Sequence, residues 1–281
     1  MKHKEIRLLS HGLFEKPLMD SKVTSRSVST KEKILGHLIG PLGLIFVVNT
    51  IAALVEKFFT QQTGAMYGTT NADMVVTMGE RYEVVITVAK ILAVLLGLFN
   101  GWLIQHTQSR QGRMRPWYLI FGFVSIVIGC LIFLFPGSTL GESYWYYFFF
   151  LLIAYNTVGS TFFYLFRDTI CSLTTRDPVE KAQVQFIRKM SWTLISGVII
   201  GMLINMVALP LWLEKDINGY PVLMITLSII AIPLLLLEYF YTRERITEDV
   251  AQEVGIEQEN TIPLGQQMRA LLTNKYFVIL T

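Results

Sequence analysis

The chain of 281 residues is 52% hydrophobic and only 16% charged, whereas soluble domains carry about 25% charged residues. Its apolar residues form blocks long enough for helices to cross a hydrocarbon core about 30 Å thick, which excludes a soluble globular domain. The formal net charge of +3 is small and unevenly distributed, so it does not indicate nucleic-acid binding. The two cysteines, Cys130 and Cys171, provide neither a disulfide framework nor the spacing of a metal site.

The first segment, residues 1–33, is polar and rich in Lys and Arg. It lacks the apolar core and small-residue cleavage site of a signal peptide, so we predict a cytosolic N-terminal tail without fixed structure. Six apolar spans follow, predicted at residues 34–59, 82–104, 117–135, 144–166, 191–213 and 222–241. All six are predicted to be helices, because backbone groups in lipid need partners within their own segment and continuous apolar runs are not barrel strands.

These spans predict the fold class, an all-α membrane protein with a six-helix bundle over residues 34–242. The polar residues 243–275 are predicted to form a cytosolic loop. Residues 276–281 are apolar again but too few to cross a bilayer. They indicate the start of a truncated seventh helix, and a natural half-protein with a short amphipathic end is the alternative.

The distribution of Lys and Arg predicts the orientation, because cytoplasmic loops carry an excess of both. Nearly all of the 24 such residues lie in the N-terminal tail, the 2–3 loop, the 4–5 loop or the stretch after the sixth span. The exceptions are Lys57, Arg81 and Lys215 on the opposite side and Lys90 within the second span. We therefore predict a multi-pass protein of the plasma membrane with a cytoplasmic N-terminus.

The most specific motif, GWLIQHTQSRQGRMRPW at residues 101–117, lies in the loop between the second and third spans. Gly112 permits a tight turn, and Pro116 suits the first turn of a helix. Guanidinium groups can bind helix C-terminal carbonyls, carboxylates on a moving helix or lipid phosphates. An ordinary positive-inside loop explains the arginines but not their order. We predict a cytoplasmic gating motif formed by Gly101, Arg110, Gly112, Arg113, Arg115 and Pro116.

This motif resembles the 2–3 loop of the glycoside–pentoside–hexuronide:cation symporters, the melibiose-carrier-like branch of the major facilitator superfamily. Three further stretches are similar in order and spacing: VAKI at residues 88–91, YNTVGSTFF at 155–163 and QFIRK at 185–189. The resemblance covers residues 31–281, which correspond to the family's first six helices and the start of the seventh.

The resemblance implies twelve helices in two bundles, which rock around a substrate bound between them near the membrane midplane. It also implies sugar substrates that enter with Na⁺, H⁺ or Li⁺, and a sugar site to which Tyr155, Phe163 and Arg188 contribute. Aromatic faces stack on the C–H surfaces of sugars, and arginine donates hydrogen bonds to hydroxyl groups.

The chain departs from the family where cation coupling takes place. The family's second-helix aspartates fall on Ala93 and Gly97, and its fourth-helix aspartate falls on Gly159. Hard cations need carboxylate or carbonyl oxygens, and proton coupling needs a titratable group. The remaining membrane carboxylates all lie near predicted helix ends: Glu56, Glu83 and Glu238. We expect no cofactor or metal site and no Na⁺ coupling through the usual residues, but facilitated diffusion or coupling through residues elsewhere.

Lys90 is the one charged residue well inside a predicted span, roughly 12 Å from the outer end of the second helix. An intramembrane charge is costly and usually faces protein or water. We predict that Lys90 lines the cavity and either binds an anionic or hydroxyl-rich solute or stands in for a coupling cation. The alternative is a lysine that snorkels to the outer interface. His37, in the first span, is interpreted as a packed core residue rather than a proton relay.

The sequence therefore predicts a secondary transporter that moves a glycoside or related small solute by alternating access. The absence of a nucleophile–base pattern argues against an enzyme. The expected partners are the lipid bilayer, a small solute such as a sugar, and a C-terminal six-helix bundle or a partner chain. The alternative is a non-transporting half-transporter that acts as a membrane partner or sensor subunit.

Overall fold

The computed structural model describes residues 18–68, 72–105, 107, 112–135, 140–194, 202, 204, 208, 210, 212–213, 215–248, 265–266, 269 and 273. The regular elements in these residues are helices, which confirms the predicted all-α fold. The helices are α1 (Glu32–Tyr67), α2 (Ala72–Gln105), α3 (Arg115–Leu134), α4 (residues 143–173), α5 (Pro178–Thr193) and α6 (Gly219–Tyr241). Helix α4 consists of three consecutive segments, Ser143–Ala154, Tyr155–Ser160 and Thr161–Leu173.

Four helices in the described part of the chain are long and apolar enough to cross a membrane: Glu32–Tyr67, Arg115–Leu134, Ser143–Phe163 and Gly219–Tyr241. Helix α2 contains the second predicted span. Most of the fifth predicted span, Arg110, most of the loop after α6 and residues 276–281 lie outside the described residues. Helix α1 continues past its predicted end because Gln62 and Thr63 are buried against protein, which hydropathy does not report.

Glu32–Ile39 at the start of α1 and Tyr155–Ser160 within α4 are wound as π-helix. In the second stretch the hydroxyl groups of Ser160 and Thr161 both donate to the carbonyl of Asn156, at 3.1 and 2.9 Å. A π-turn widens the helix and is often found at functional sites. The two stretches contain His37 and Tyr155, both singled out in the sequence.

The bundle core is formed by α1, which packs closely against α6, α5 and α3 and makes aromatic side-chain contacts with α4. Towards the end of the bundle that is remote from the N-terminal segment, Phe58 of α1 contacts Phe133 of α3 edge-on and Tyr220 of α6, with ring centroids 5.0 Å apart in both pairs. Such aromatic contacts contribute about 0.5–1.5 kcal/mol beyond the burial of their area. They hold together the ends of α1, α3 and α6 opposite the N-terminal tail.

Glycines bring α1 into backbone contact with α6. A Cβ atom added to Gly36 would collide with the carbonyl oxygen of Tyr241. At Gly40 it would lie 2.7 Å from Cα of Glu238, and at Gly43 2.9 Å from the carbonyl oxygen of Ala231. Small residues at helix interfaces allow this close approach in membranes, and the contact sets the position of α6 relative to α1.

Replacing Gly40 or Gly43 with Ala should destabilise the bundle by about 1–3 kcal/mol, because the added methyl group overpacks the α1–α6 contact. The matched control is Gly64→Ala in the same helix, where an added Cβ meets nothing within 4 Å and the change should be neutral or stabilising by up to about 1 kcal/mol. Thermal unfolding in detergent, monitored by the labelling of the cysteine thiols of Cys130 and Cys171 as they become accessible, measures the stability of each variant. Equal melting temperatures for the Gly40 and Gly64 variants would contradict the packing role.

Candidate functional site

The motif for which a gating role was predicted is folded around the carboxylate of Glu244, which follows α6. The backbone N–H groups of Arg113, Met114 and Arg115 donate to it at 3.0, 3.0 and 2.8 Å. The first N–H groups of a helix have no partner within the helix, and an acidic group there also meets the positive end of the helix dipole. Glu244 therefore caps α3 from a distant part of the chain.

The order of residues in the motif follows from this cap. Gly112 has a φ of +107°, and an added Cβ would lie 2.6 Å from Oε2 of Glu244, so the position requires glycine. Pro116 lies in the first turn of α3, where the N–H that proline lacks would have no helical partner. Gly101 lies within α2.

The Arg115 side chain binds the end of α6. It is 1% exposed, Nη2 donates to the carbonyl oxygen of Tyr239 at 2.5 Å, and the guanidinium carbon lies 4.4 Å from the centroid of the Tyr239 ring. A guanidinium group over an aromatic ring adds a cation–π attraction. The motif thus joins the start of α3 to the end of α6 through a backbone cap and a side-chain contact.

Arg245 binds a segment that the sequence assigned to an unstructured tail. Its guanidinium group donates to the Glu32 carboxylate at 2.6 and 2.8 Å and to the carbonyl oxygens of Ser25, Ser27 and Thr174 at 3.2 Å. The described residues from 18 onwards therefore pack against the ends of α1, α4 and α6 that lie on the side of the N-terminal segment. Hydropathy could not reveal this, because the contacts are made by backbone carbonyls and one buried arginine.

Arg188 lies inside the bundle and pairs with Glu238 of α6. Nη2 of Arg188 is 2.7 Å from Oε1 of Glu238, with the side chains 5% and 0% exposed. The Tyr118 hydroxyl donates a short hydrogen bond to the other carboxylate oxygen. Sequence reasoning placed Glu238 at a helix end and gave it no role. An acid flanked by LLLL and YFY in an apolar helix was the available signal, because intramembrane carboxylates are functional by default.

Tyr155 and Phe163 are both packed in the core. The Tyr155 hydroxyl donates to the carbonyl oxygen of Val48 at 3.4 Å, and Phe163 stacks on Trp192 with ring centroids 6.3 Å apart. Gly159 lies between them on α4, where its carbonyl accepts from the Ser125 hydroxyl at 3.0 Å. Trp192 follows Arg188 by one turn of α5, so Phe163 contacts α5 one helical turn away from Arg188.

Lys90 is exposed on α2. It shares one helix face with Ala93 and Gly97, since residues three or four apart are neighbours on a helix. An added Cβ at Gly97 would meet nothing within 4 Å. The two positions that align with the aspartates of the resembled family are half-buried, and they lie on the same helix face as the exposed Lys90. No group of three or more His, Cys, Asp or Glu side chains that could hold a metal occurs among the residues described.

Two comparisons place the chain among known proteins. The profile of the family "MFS/sugar transport protein" matches residues 36–281. The isoprimeverose transporter of Lactiplantibacillus pentosus is 26% identical over 199 residues, which cover 68% of this chain and 38% of that protein. The chain thus spans well under two thirds of the length of this relative.

The family match covers far more than half of the chain and includes α1 to α6 with the gating motif. It fits the membrane-spanning helices and the resemblance to sugar:cation symporters found in the sequence. The chain is a multi-pass membrane protein that belongs to the MFS/sugar transport protein family.

Proposed function

We propose that this chain forms the N-terminal six-helix bundle of a secondary transporter, which moves a glycoside or related small solute by alternating access. The bundle lies in the plasma membrane with its N-terminus in the cytoplasm, and it works against a second bundle that completes the solute site. The observation that carries the proposal is the gating motif, whose Gly112, Arg115 and Pro116 are used to fasten α3 to the end of α6. The motif then binds the end of α6 and Glu244, from which the chain continues towards the second bundle.

A non-transporting partner or sensor subunit is the second candidate. It is favoured by the missing carboxylates at Ala93, Gly97 and Gly159 and by the pairing of Arg188 with Glu238, which occupies a side chain expected to bind sugar. Solute exchange by the reconstituted full-length protein discriminates the two candidates, since a sensor subunit has no need to move solute.

The charge of Lys90 favours a solute site on α2 that does not bind a cation. Its ammonium group shares a face with Ala93 and Gly97, where two carboxylates would otherwise attract Na⁺. A fixed positive charge repels a cation over a distance of several ångströms. We propose that Lys90 faces the solute cavity, where it takes the place of a bound cation and donates hydrogen bonds to solute hydroxyl groups.

The contribution of Glu244, which caps α3, to the stability of the protein depends on pH. Burial raises the pKa of its carboxyl to about 7, while the backbone N–H groups and the charge of Arg115 oppose the shift. The group thus binds a proton more tightly in the folded protein than in the unfolded chain. Its contribution to stability is fully present below the ordinary pKa of 4.5 and is lost as the pH rises through 7.

Uptake should not require Na⁺, because the positions for coordinating carboxylates are occupied by Ala93, Gly97 and Gly159. The full-length protein in proteoliposomes, with radiolabelled isoprimeverose as the first sugar, should show equal initial rates in Na⁺ and in K⁺ buffers at equal pH. A rate that collapses when Na⁺ is replaced would contradict this expectation. If no tested sugar exchanges, the non-transporting candidate stands.

Replacing Lys90 with Ala should reduce uptake at least about tenfold, the effect of losing roughly 1.4 kcal/mol of binding, whereas Lys90→Arg should retain much of it. Lys215→Ala is the control, because Lys215 is exposed in the turn before α6 and its loss should leave uptake unchanged. Wild-type uptake by both Lys90 variants would show that the lysine only snorkels to the interface.

The melting temperature should fall between pH 5 and pH 8 more steeply in the wild type than in Glu244→Gln. The glutamine is neutral throughout, so the part of the slope due to Glu244, on the order of 5 °C for a few kcal/mol, should disappear. The comparison is made by differential scanning fluorimetry across the pH range. Parallel curves for the two proteins would show that Glu244 does not titrate in this interval.

A further inference from the structure

Four buried polar side chains form a cluster in the bundle interior, and we call it the inner charge cluster. They come from four different helices and are at most 4% exposed: His37 on α1, Tyr118 on α3, Arg188 on α5 and Glu238 on α6. Glu238 lies near the cytoplasmic end of α6, and His37 lies in the π-wound start of α1. The cluster therefore lies towards the cytoplasmic side of the membrane.

The Glu238 carboxylate is held from two sides. Oε1 lies 2.7 Å from Nη2 of Arg188, and Oε2 accepts the Tyr118 hydroxyl. Its backbone is fixed by contact with Gly40. A buried ion pair adds little net stability compared with apolar packing, because both charges lose their hydration. Net stabilisation of the fold therefore does not account for the Arg188–Glu238 pair, which points to a functional role of the inner charge cluster.

Several polar atoms around the pair have no hydrogen-bond partner among the described residues. They are both ring nitrogens of His37, all three guanidinium nitrogens of Arg188, the hydroxyl oxygen of Ser191 one turn after Arg188, and Oε1 of Glu238. The 2.7 Å contact between Arg188 and Glu238 is therefore an ion pair without the angles of a hydrogen bond. Buried polar groups are normally paired with protein or with ordered water. Such donors and acceptors around a carboxylate can bind water molecules, and a proton can reach the carboxylate through them.

The other charged groups near the cluster are bound elsewhere. Arg115 on α3 donates to the Tyr239 carbonyl, and Arg245 pairs with Glu32 at 2.6 Å. Arg245 and Arg188 are close enough to His37 to act on it electrostatically, and Cys171 on α4 is close enough to act on Arg188. The one carboxylate that pairs with Arg188 in the described part of the chain is Glu238, so protonation of Glu238 is the event that frees the arginine.

We infer that Glu238 is the proton-binding site through which this protein couples solute movement to H⁺, an inference that rests on the proposed transport function. A proton from the outer solution forms an O–H bond with a Glu238 carboxylate oxygen, and the ion pair with Arg188 opens. The guanidinium group is then free to donate to a solute hydroxyl. After the solute leaves on the inner side, Glu238 returns the proton to cytoplasmic water and Arg188 pairs with it again.

The test compares two modes of transport by the full-length protein in proteoliposomes, with isoprimeverose as the probe sugar. A pH gradient of one unit, alkaline inside, should drive about tenfold accumulation when one H⁺ enters with each sugar. Equilibrium exchange needs no net proton movement. Glu238→Gln should abolish the accumulation and the pH dependence of exchange while keeping exchange itself, because glutamine mimics the protonated carboxyl.

Glu56→Gln is the matched control, since Glu56 is exposed on α1 and its loss should leave accumulation unchanged. Accumulation by Glu238→Gln at the wild-type level would overturn the inference. If that variant does not fold, proton uptake by the wild type decides the matter. One H⁺ per sugar supports coupling, and sugar entry without H⁺ overturns it.

A second readout separates this inference from the proposed function. Infrared difference spectra of the purified protein after a pH jump should contain the C=O band of a buried protonated carboxyl that Glu238→Gln lacks. The band without any sugar exchange would leave the proton site in place and defeat the transport proposal. Sugar exchange without the band would support the transport proposal and overturn the assignment of Glu238 as the proton-binding site.

Discussion

The rest of the bundle depends on the close approach of α1 to α6. In lipid, apolar side chains gain nothing by leaving the solvent, so helices associate through van der Waals packing and polar contacts. Gly36, Gly40 and Gly43 remove the side chains that would keep the two backbones apart. The contact at Gly40 places the backbone of Glu238 against α1. The position of its carboxylate relative to Arg188 is therefore set by glycines that make no polar contact themselves.

The end of the bundle on the side of the N-terminal segment is held together by polar groups that all converge on the end of α6 and the residues after it. Glu244 caps α3, the Tyr239 carbonyl accepts from Arg115, and Arg245 binds Glu32 and the segment from residue 18 onwards. A cap supplied by another element couples two helices, because α3 cannot move away from Glu244 without leaving three N–H groups unpaired. A displacement of α6 is thereby transmitted to α3 and to the N-terminal segment.

Hydropathy and charge predicted the helical fold, because the bilayer requires long apolar helices and these are legible as continuous runs. The 2–3 loop resembles that of the sugar:cation symporters, and this resemblance correctly predicted membership of the MFS/sugar transport protein family. The sequence did not reveal that Arg188 pairs with Glu238 or that Arg245 donates hydrogen bonds to Ser25, Ser27 and Glu32. These partners are far apart in the chain, and their pairing depends on how each helix is rotated about its axis. Gly112 could be assigned to a turn, but its fit against Glu244 required the tertiary contact.

The charges of the bundle favour a proton over a metal cation as the coupling ion. Na⁺ needs several oxygen ligands in one place, whereas the groups around Glu238 are a guanidinium group, a hydroxyl that donates and an imidazole. Two positive or donating neighbours repel a metal ion from this carboxylate. A proton needs a single oxygen and removes the negative charge that holds Arg188. The bundle thus keeps a carboxylate–arginine pair in its interior, and it carries Lys90 on the helix face where the resemblance to the symporter family places the aspartates.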